Sequence, residues 1–308
     1  MKTDILNKRV LVGLISHNRL NFTLRALETL QNTQLPFDLL IVDNGSTNDT
    51  KQILSNKALE YGAKFISIEN RNCNGARDVI NHYGLYYDYV IYVDNDAIMP
   101  NHWLEQLLEH AISTDAALLG VSQSYFGGEE TFFGNFNIQD SFIVFKELSI
   151  TPTTAYKVDW VTGHCLTVKG DFLRLIWDKY RLWERRLLFP IDLDDIDLMM
   201  MAKSLNLEVY VAPIVVPQNR DFNSQIESNN YNSARNDFHN YALSCVSFWQ
   251  HWKYNPLLNW NKGYTGNANK PGKIHSKDIE TKFLELVAMV KDVDPEIYEG
   301  FQKKLANE

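Results

Sequence analysis

The sequence predicts an α/β protein with a mostly parallel central sheet flanked by helices and a mainly helical C-terminal extension. Three observations carry that reading. Short continuous apolar runs recur through the first part of the chain, as strands buried on both faces require. Between them lie segments whose apolar residues follow a helical period, and this alternation specifies a parallel sheet covered on both sides. Beyond Pro217 the texture turns to Asn, Ser and aromatic residues, so residues 1–220 are expected as one domain and 221–308 as its extension.

Val10–Ser16 (VLVGLIS) reads as the first strand, and Asn21 is placed to cap a helix carrying Phe22, Leu24, Ala26, Leu27 and Leu30. Leu39–Val42 is a second buried strand running into Asp43-Asn44-Gly45-Ser46. Ser46 or Thr47 then caps a helix to about Tyr61, with Gly62 as its stop. Lys64–Ile68 is the third strand. After the Asn-rich turn Asn70–Asn74 and a short helix comes the fourth, Tyr89–Val93. Pro100 suits the start of a helix over Asn101–Ile112, and Ala117–Ser122 is a further strand. Residues 127–150, rich in Gly, Phe and Asn, fit either a loop or an irregular hairpin over a cleft. Val158–Val161 and Cys165–Val168 read as strands around Thr162-Gly163-His164. A helix over Asp195–Leu205 precedes the strand Glu208–Ala212, and an amphipathic helix is expected around Ile279–Val290.

Right-handed crossovers place the C-terminal ends of parallel strands on one side of the sheet, where ligands of such folds bind. Ser16–Arg19, Asp43–Ser46, Asn70–Arg77 and Asp94–Asp96 all follow strand ends. They are therefore expected to converge on one crevice.

The formal net charge of −8 argues against an extended nucleic-acid track, which needs clustered Lys and Arg. An acidic protein that handles a phosphate-bearing substrate commonly needs a divalent cation between the two. The three cysteines are widely spaced, form no metal framework and read as reduced, buried thiols. No run of about 18 apolar residues is present, so no integral membrane segment is expected. The expected location is cytoplasmic, with peripheral attachment at a membrane left open. Seven Trp among many Tyr and Phe suit a core, and also a surface that stacks on sugars.

Asp94-Asn95-Asp96 is the most informative trio. Carboxylates at Asp94 and Asp96, just past a buried strand, can share Mg²⁺ or Mn²⁺ facing phosphate oxygens. A polar turn is the plain alternative. Asp43 can accept a hydrogen bond from a base or a ribose, or shape an Asx turn. Arg71 and Arg77 can grip a diphosphate, Arg77 the better placed because it sits at a helix start, with a solvated surface Arg as the plain alternative. Asp192, Asp194, Asp195 and Asp197 crowd another helix start. Acids there favour the helix dipole, but their mutual repulsion also raises a pKa and makes a usable general base.

The order of these features resembles glycosyltransferase family 2, of the Rossmann-like GT-A fold, over about residues 8–218. Ser16-His17-Asn18-Arg19 stands where the family has a "TYNR"-like loop. Ile41–Thr47 (IVDNGST) is similar to its "VVDNGSTD" segment, and Asn72–Asp78 (NCNGARD) to "NxGxxxARN". Val93–Ala97 (VDNDA) is similar to the DXD motif. Gly163–Phe172 resembles an acceptor-side segment, and Asp194–Leu198 (DDIDL) looks like "EDVDL". The resemblance implies Ser16, Asn18, Arg19, Asp43, Asn72, Gly75, Arg77, Asp94 and Asn95 at a nucleotide-sugar, with UDP the favoured carrier. It implies Asp94 and Asp96 at the metal and Asp195 as catalytic base of an inverting transfer. Trp160, His164 and Asp194 fall on the acceptor or sugar side, although a core role suits His164 equally. Asp78 and Asp194 depart from the family's usual Asn and Glu. The family often supplies a metal-binding His after the last core strand. Gln218 holds that position here, leaving a third ligand to His239 or to no side chain.

A nucleotidyltransferase also combines such a fold with a cation, but it usually carries a Gly-rich loop after the first strand, which Ser16–Arg19 lacks. A sugar- or nucleotide-sugar-binding relative without catalysis would have little reason to group Asp94, Asp96 and Asp195. The acceptor hydroxyl can belong to a glycan, polymer, lipid, protein or modified base. Trp249, Trp252, Trp260 and Tyr264 in the extension suit an acceptor platform, a homo-oligomer interface or a packed helical subdomain.

Overall fold

The computed structural model describes residues 5–219 apart from 125–132, 140–141, 149, 151 and 182–192. It also describes residues 244–253 apart from 246 and 250, and residues 288, 291, 295 and 299. The chain opens with β1 (Val10–Ser16), α1 (Leu20–Leu30), β2 (Asp38–Asn44), α2 (Asn48–Glu60), β3 (Lys64–Ile68), α3 (Asn72–Gly84) and β4 (Tyr89–Asp94). It continues through α4 (Trp103–Thr114), β5 (Leu118–Ser124), β6 (Phe133–Gln139), β7 (Phe142–Glu147), β8 (Tyr156–Val158), β9 (Trp160–Val161) and β10 (Cys165–Lys169). Helices α5 (Gly170–Tyr180) and α6 (Asp194–Ser204) then lead to β11 (Val209–Pro217).

Among the described residues, eight strands form the main sheet in the order β3-β2-β1-β4-β10-β5-β11-β8. β1 pairs in parallel with β2 and β4, β2 with β3, and β5 with β11. β10 runs antiparallel between β4 and β5, and β8 antiparallel to β11. The start of β10 therefore meets the end of β4, bringing residues 163–165 to the edge where the parallel strands finish.

Alternate side chains of each central strand enter opposite layers, the period-two rule of a pleated strand. Leu11, Val90, Tyr92, Leu166 and Val168 pack on one face with α3, α5 and α6. Val10, Val12, Leu14, Ile91 and Val93 pack on the other with α1 and α4. Cys245, Phe248 and Trp249, beyond residue 220, lie in the first of these layers.

The structure moves several expected boundaries. α1 begins at Leu20, with Arg19 rather than Asn21 at its N-cap. Asn18 takes a φ of +55°, turning the chain early enough for the Thr23 N–H to reach the Arg19 carbonyl at 3.0 Å. α4 begins at Trp103 because His102 is left-handed, which leaves Pro100 outside the helix. Within the stretch 127–150, Phe133–Gln139 and Phe142–Glu147 pair as the antiparallel strands β6 and β7, while 127–132, 140–141 and 149 lie outside the described residues. β11 runs on to Pro217 through a register shift between Ala212 and Val215. α5 was not expected, since the polar opening Lys169-Gly170-Asp171 follows directly on a strand. Of the helix expected around residues 279–290, only Ala288 is described, and it is helical.

Candidate active site

The loops after β1 and β2 are stitched together first. The Asn18 N–H donates to Ser46 Oγ at 2.9 Å, and Asn18 Oδ1 accepts from the Thr47 N–H at 2.8 Å. Asp43, fully buried at the end of β2, accepts from the Ser46 N–H at 3.2 Å and from the Ser67 hydroxyl at 2.8 Å. Lys51 Nζ stands 4.0 Å from the same carboxylate. Between them Gly45 has a φ of +81°, and a Cβ there would lie 2.6 Å from the Asn70 nitrogen, so the turn requires glycine.

Beneath this lies a hub that the sequence did not disclose. Thr23, fully buried in α1, pairs through its hydroxyl with Ser16 Oγ at 2.8 Å and accepts from Asn95 Nδ2 at 3.2 Å. It also donates to the Arg19 carbonyl at 2.9 Å. Its spacing from Arg19, one helical turn, was the only local signal for it.

Asp94 and Asp96 leave β4 with different surroundings. The Asp94 side chain is 44% exposed, whereas that of Asp96 is 6% exposed. Asp96 Oδ2 accepts from Arg19 Nη1 at 3.0 Å and from Gln218 Nε2 at 2.9 Å. Arg19 also donates to Asn95 Oδ1 at 3.3 Å, with its guanidinium over the Phe22 ring. The second oxygen of Asp96 lies 3.7 Å from His164 Nδ1, and Asp94 Oδ2 lies at the same distance from that nitrogen. Asp94, Asp96 and His164 can each offer one ligand atom so that all lie within 4.8 Å of one another. His164 is buried, yet among the described residues neither ring nitrogen has a hydrogen-bond partner. Two carboxylates facing an imidazole without hydrogen bonds fit a divalent cation. Gln218 thus touches Asp96, while His239 lies outside the described residues.

Arg77 projects from the first turns of α3 beneath this group. It is buried, forms an ion pair with Asp194 at the start of α6, and reaches toward Asp94 Oδ1 at 4.0 Å. A Cβ on Gly163 would lie 2.6 Å from Arg77 Nη2, so the absent side chain is what admits the guanidinium. Asp194, expected on the acceptor or sugar side, lies against Arg77 at the start of α6. Asn72 opens α3 and Gly75 follows within its first turn.

Asp195 sits beside this pair, accepting from the Gly163 N–H at 3.0 Å and from its neighbour's Ile196 N–H at 2.8 Å. Burial pushes its pKa above the usual aspartate value, and the Asp94 charge adds to the rise; Arg77 and the two N–H groups oppose it without cancelling it. Trp160, half-buried on β9, packs against the core layer that contains α6. Cys165 is fully buried, and loss of solvation drives its thiol up to about 12, as an inert core thiol requires. No helix among the described residues is long and apolar enough to cross a membrane.

A mostly parallel sheet with β10 antiparallel in its middle and β8 antiparallel at its edge, and with a carboxylate pair leaving β4, defines a GT-A glycosyltransferase fold. The chain belongs to glycosyl transferase family 2, whose family model matches residues 11–168, just over half of its length. No curated protein matches the sequence significantly. Among solved structures, residues 1–349 of TarS from S. aureus superpose with a TM-score of 0.55 at 14% identity, covering 94% of this chain and 82% of that one. A complex of the same TarS segment with UDP-GlcNAc gives 0.55 at 13% identity, with coverage of 94% and 82%. The mannosyltransferase PcManGT from Pyrobaculum calidifontis, with GDP-Man and Mn²⁺, gives 0.50 at 13% identity, covering 97% of this chain and 74% of that one. At such identities the likeness is one of fold.

Proposed function

We propose that the chain transfers a sugar, with inversion, from a nucleotide-sugar to an acceptor hydroxyl, and that it uses a divalent cation to do so. The single observation that carries this reading is the convergence of Asp94, Asp96 and Asp195 on one sheet edge, linked through Arg77. A UDP-sugar is the favoured donor, in keeping with the family resemblance and with the UDP-GlcNAc held by the TarS neighbour.

The roles follow from the chemistry of each group. Asp43, Asn18 and the loops they brace receive the base and ribose, as hydrogen-bonding groups at strand ends do in this fold class. Arg77 adds positive charge near the leaving diphosphate. Asp94 and Asp96 would hold Mn²⁺ or Mg²⁺, which when bound neutralises charge developing on that diphosphate. Asp195, with proton affinity raised by burial, takes the acceptor's hydroxyl proton. As it does, the acceptor oxygen bonds to the anomeric carbon, and the bond to the diphosphate oxygen breaks with its electron pair leaving on phosphate. A single displacement of this kind inverts the centre.

The test is a panel of nucleotide-sugars assayed for Mn²⁺-dependent release of nucleoside diphosphate, with wild type beside Asp96→Ala and Asp195→Asn. Turnover of one donor, lost in both variants, is the expected result and names the sugar. Binding of UDP without turnover of any donor would favour a non-catalytic relative. Absence of all nucleotide binding would remove the nucleotide-site assignment.

A further inference from the structure

The family's histidine for the metal often follows the last core strand, and that position here is Gln218, whose amide holds Asp96 Oδ2 at 2.9 Å. The imidazole is found elsewhere, at the entrance to β10. We infer that His164 is the third protein ligand of the cation, with Arg19 and Gln218 orienting Asp96 for it. The inference rests on the reading of Asp94 and Asp96 as the cation's carboxylates.

Strand pairing fixes the placement. β10 is antiparallel to β4 with Cys165 opposite Val93, and the Asp94 N–H donates to the His164 carbonyl at 3.0 Å. The residue before Cys165 must therefore lie beside the residue after Val93, whatever its side chain. In this chain that side chain is an imidazole whose Nδ1 lies 3.7 Å from both Asp94 Oδ2 and Asp96 Oδ1. Such a distance is too long for a hydrogen bond. One ion can still touch both partners, since two bonds of about 2.1 Å span up to about 4.2 Å.

Burial sharpens the argument. The His164 side chain is 2% exposed, and among the described residues neither ring nitrogen has a hydrogen-bond partner. A histidine serving only to fill the core would be expected to satisfy at least one nitrogen, because buried polar atoms rarely go without. Asp96 divides its oxygens: Oδ2 is taken by Arg19 and Gln218, and Oδ1 faces His164. That is the arrangement of a carboxylate ligand steered by outer groups. One imidazole beside two carboxylates disfavours Mg²⁺, which keeps to oxygen and sheds water reluctantly, relative to a first-row transition ion such as Mn²⁺.

The experiment is pulsed electron spin resonance on the whole chain loaded with Mn²⁺ alone, alongside a Mn²⁺ titration of wild type, His164→Asn, His164→Ala and Asp96→Asn. Wild type is expected to show directly bound imidazole nitrogen coupled to Mn²⁺. Both His164 variants should lose that coupling and bind Mn²⁺ at least about tenfold more weakly, with a smaller preference over Mg²⁺. Bound Mn²⁺ without nitrogen coupling in wild type, or coupling retained in the variants, overturns the assignment of His164. Failure of wild type to bind Mn²⁺ at all would instead remove the cation reading on which it rests. Should the variants not fold, Mn²⁺ anomalous scattering from wild-type crystals decides: a peak within bonding distance of His164 Nδ1 supports the inference, and one beyond it overturns it.

Discussion

Arg77 and Asp194, 117 residues apart in the chain, form a buried ion pair that ties the first turns of α3 to the start of α6. Breaking such a pair from one side leaves a charge without compensation in a poorly solvated place. Asp194→Ala is therefore expected to cost about 3–5 kcal/mol of stability, read by urea unfolding. Exchange for Glu, the residue usual in the family, should retain most of that stability. A loss below about 1 kcal/mol in Asp194→Ala would mean that Arg77 finds solvent or another partner.

Asp195 makes a prediction about pH. Its raised pKa means that the carboxylate takes up a proton at a higher pH than an ordinary aspartate, near 3.9. The base must be deprotonated to act, so kcat should fall as pH drops through a value above that reference. The limb should vanish in Asp195→Asn, together with a rate loss of about 10²–10⁴-fold. The same shift has the opposite sign for stability. The folded state binds this proton more tightly than the unfolded chain, so this group favours folding more as pH falls through the raised pKa toward the unfolded value.

Gly163 joins the two preceding groups, since its missing side chain admits Arg77 and its N–H holds Asp195. Gly163→Ala should displace the guanidinium, at a cost of about 1–3 kcal/mol by thermal or urea melts. Activity should fall by at least about tenfold, because a small misplacement of reacting groups is enough to do so. Unchanged kinetics would show that Arg77 is not needed in its present place.

Thr23 carries no chemistry of its own, yet Ser16, Asn95 and the Arg19 carbonyl all bond to its hydroxyl. Thr23→Val keeps the shape and removes those bonds. The expected destabilisation is about 1–3 kcal/mol, the cost of leaving buried partners unsatisfied. Thr23→Ser should recover most of it, which separates hydrogen bonding from packing.

Trp252 in the C-terminal part donates its indole N–H to Asp197 Oδ1 at 2.7 Å, reaching the helix that also carries Asp195. Trp252→Phe is expected to lower stability by about 1.5–3 kcal/mol, the range for hydrogen bonds to charged groups. A chain ended at residue 220 would in addition lose Phe248 and Trp249 from the core layer beside α6, and should melt at lower temperature than the point variant.

Local sequence was sufficient to place β1 and β4 almost to the residue, because buried parallel strands are continuous apolar runs with polar residues where they end. Hence Asp43, Asp94 and Asp96 could be assigned to one sheet edge from the chain alone. Boundaries that depend on single backbone angles were not legible. The left-handed Asn18 and His102 set where α1 and α4 begin; Asn and His tolerate such a φ better than most residues, but neither requires it.

What sequence determined by itself was the class of fold and the strand-end carboxylates, since both follow from hydrophobic period and turn chemistry over a few neighbouring residues. What only tertiary structure decided was which distant groups meet. The antiparallel entry of β10 beside β4 brings His164 to Asp94, and the placing of α3 and α6 on the same face of the sheet brings Arg77 to Asp194. Those meetings are set by strand register and helix docking, which involve partners far apart in the chain, so no local pattern could carry them.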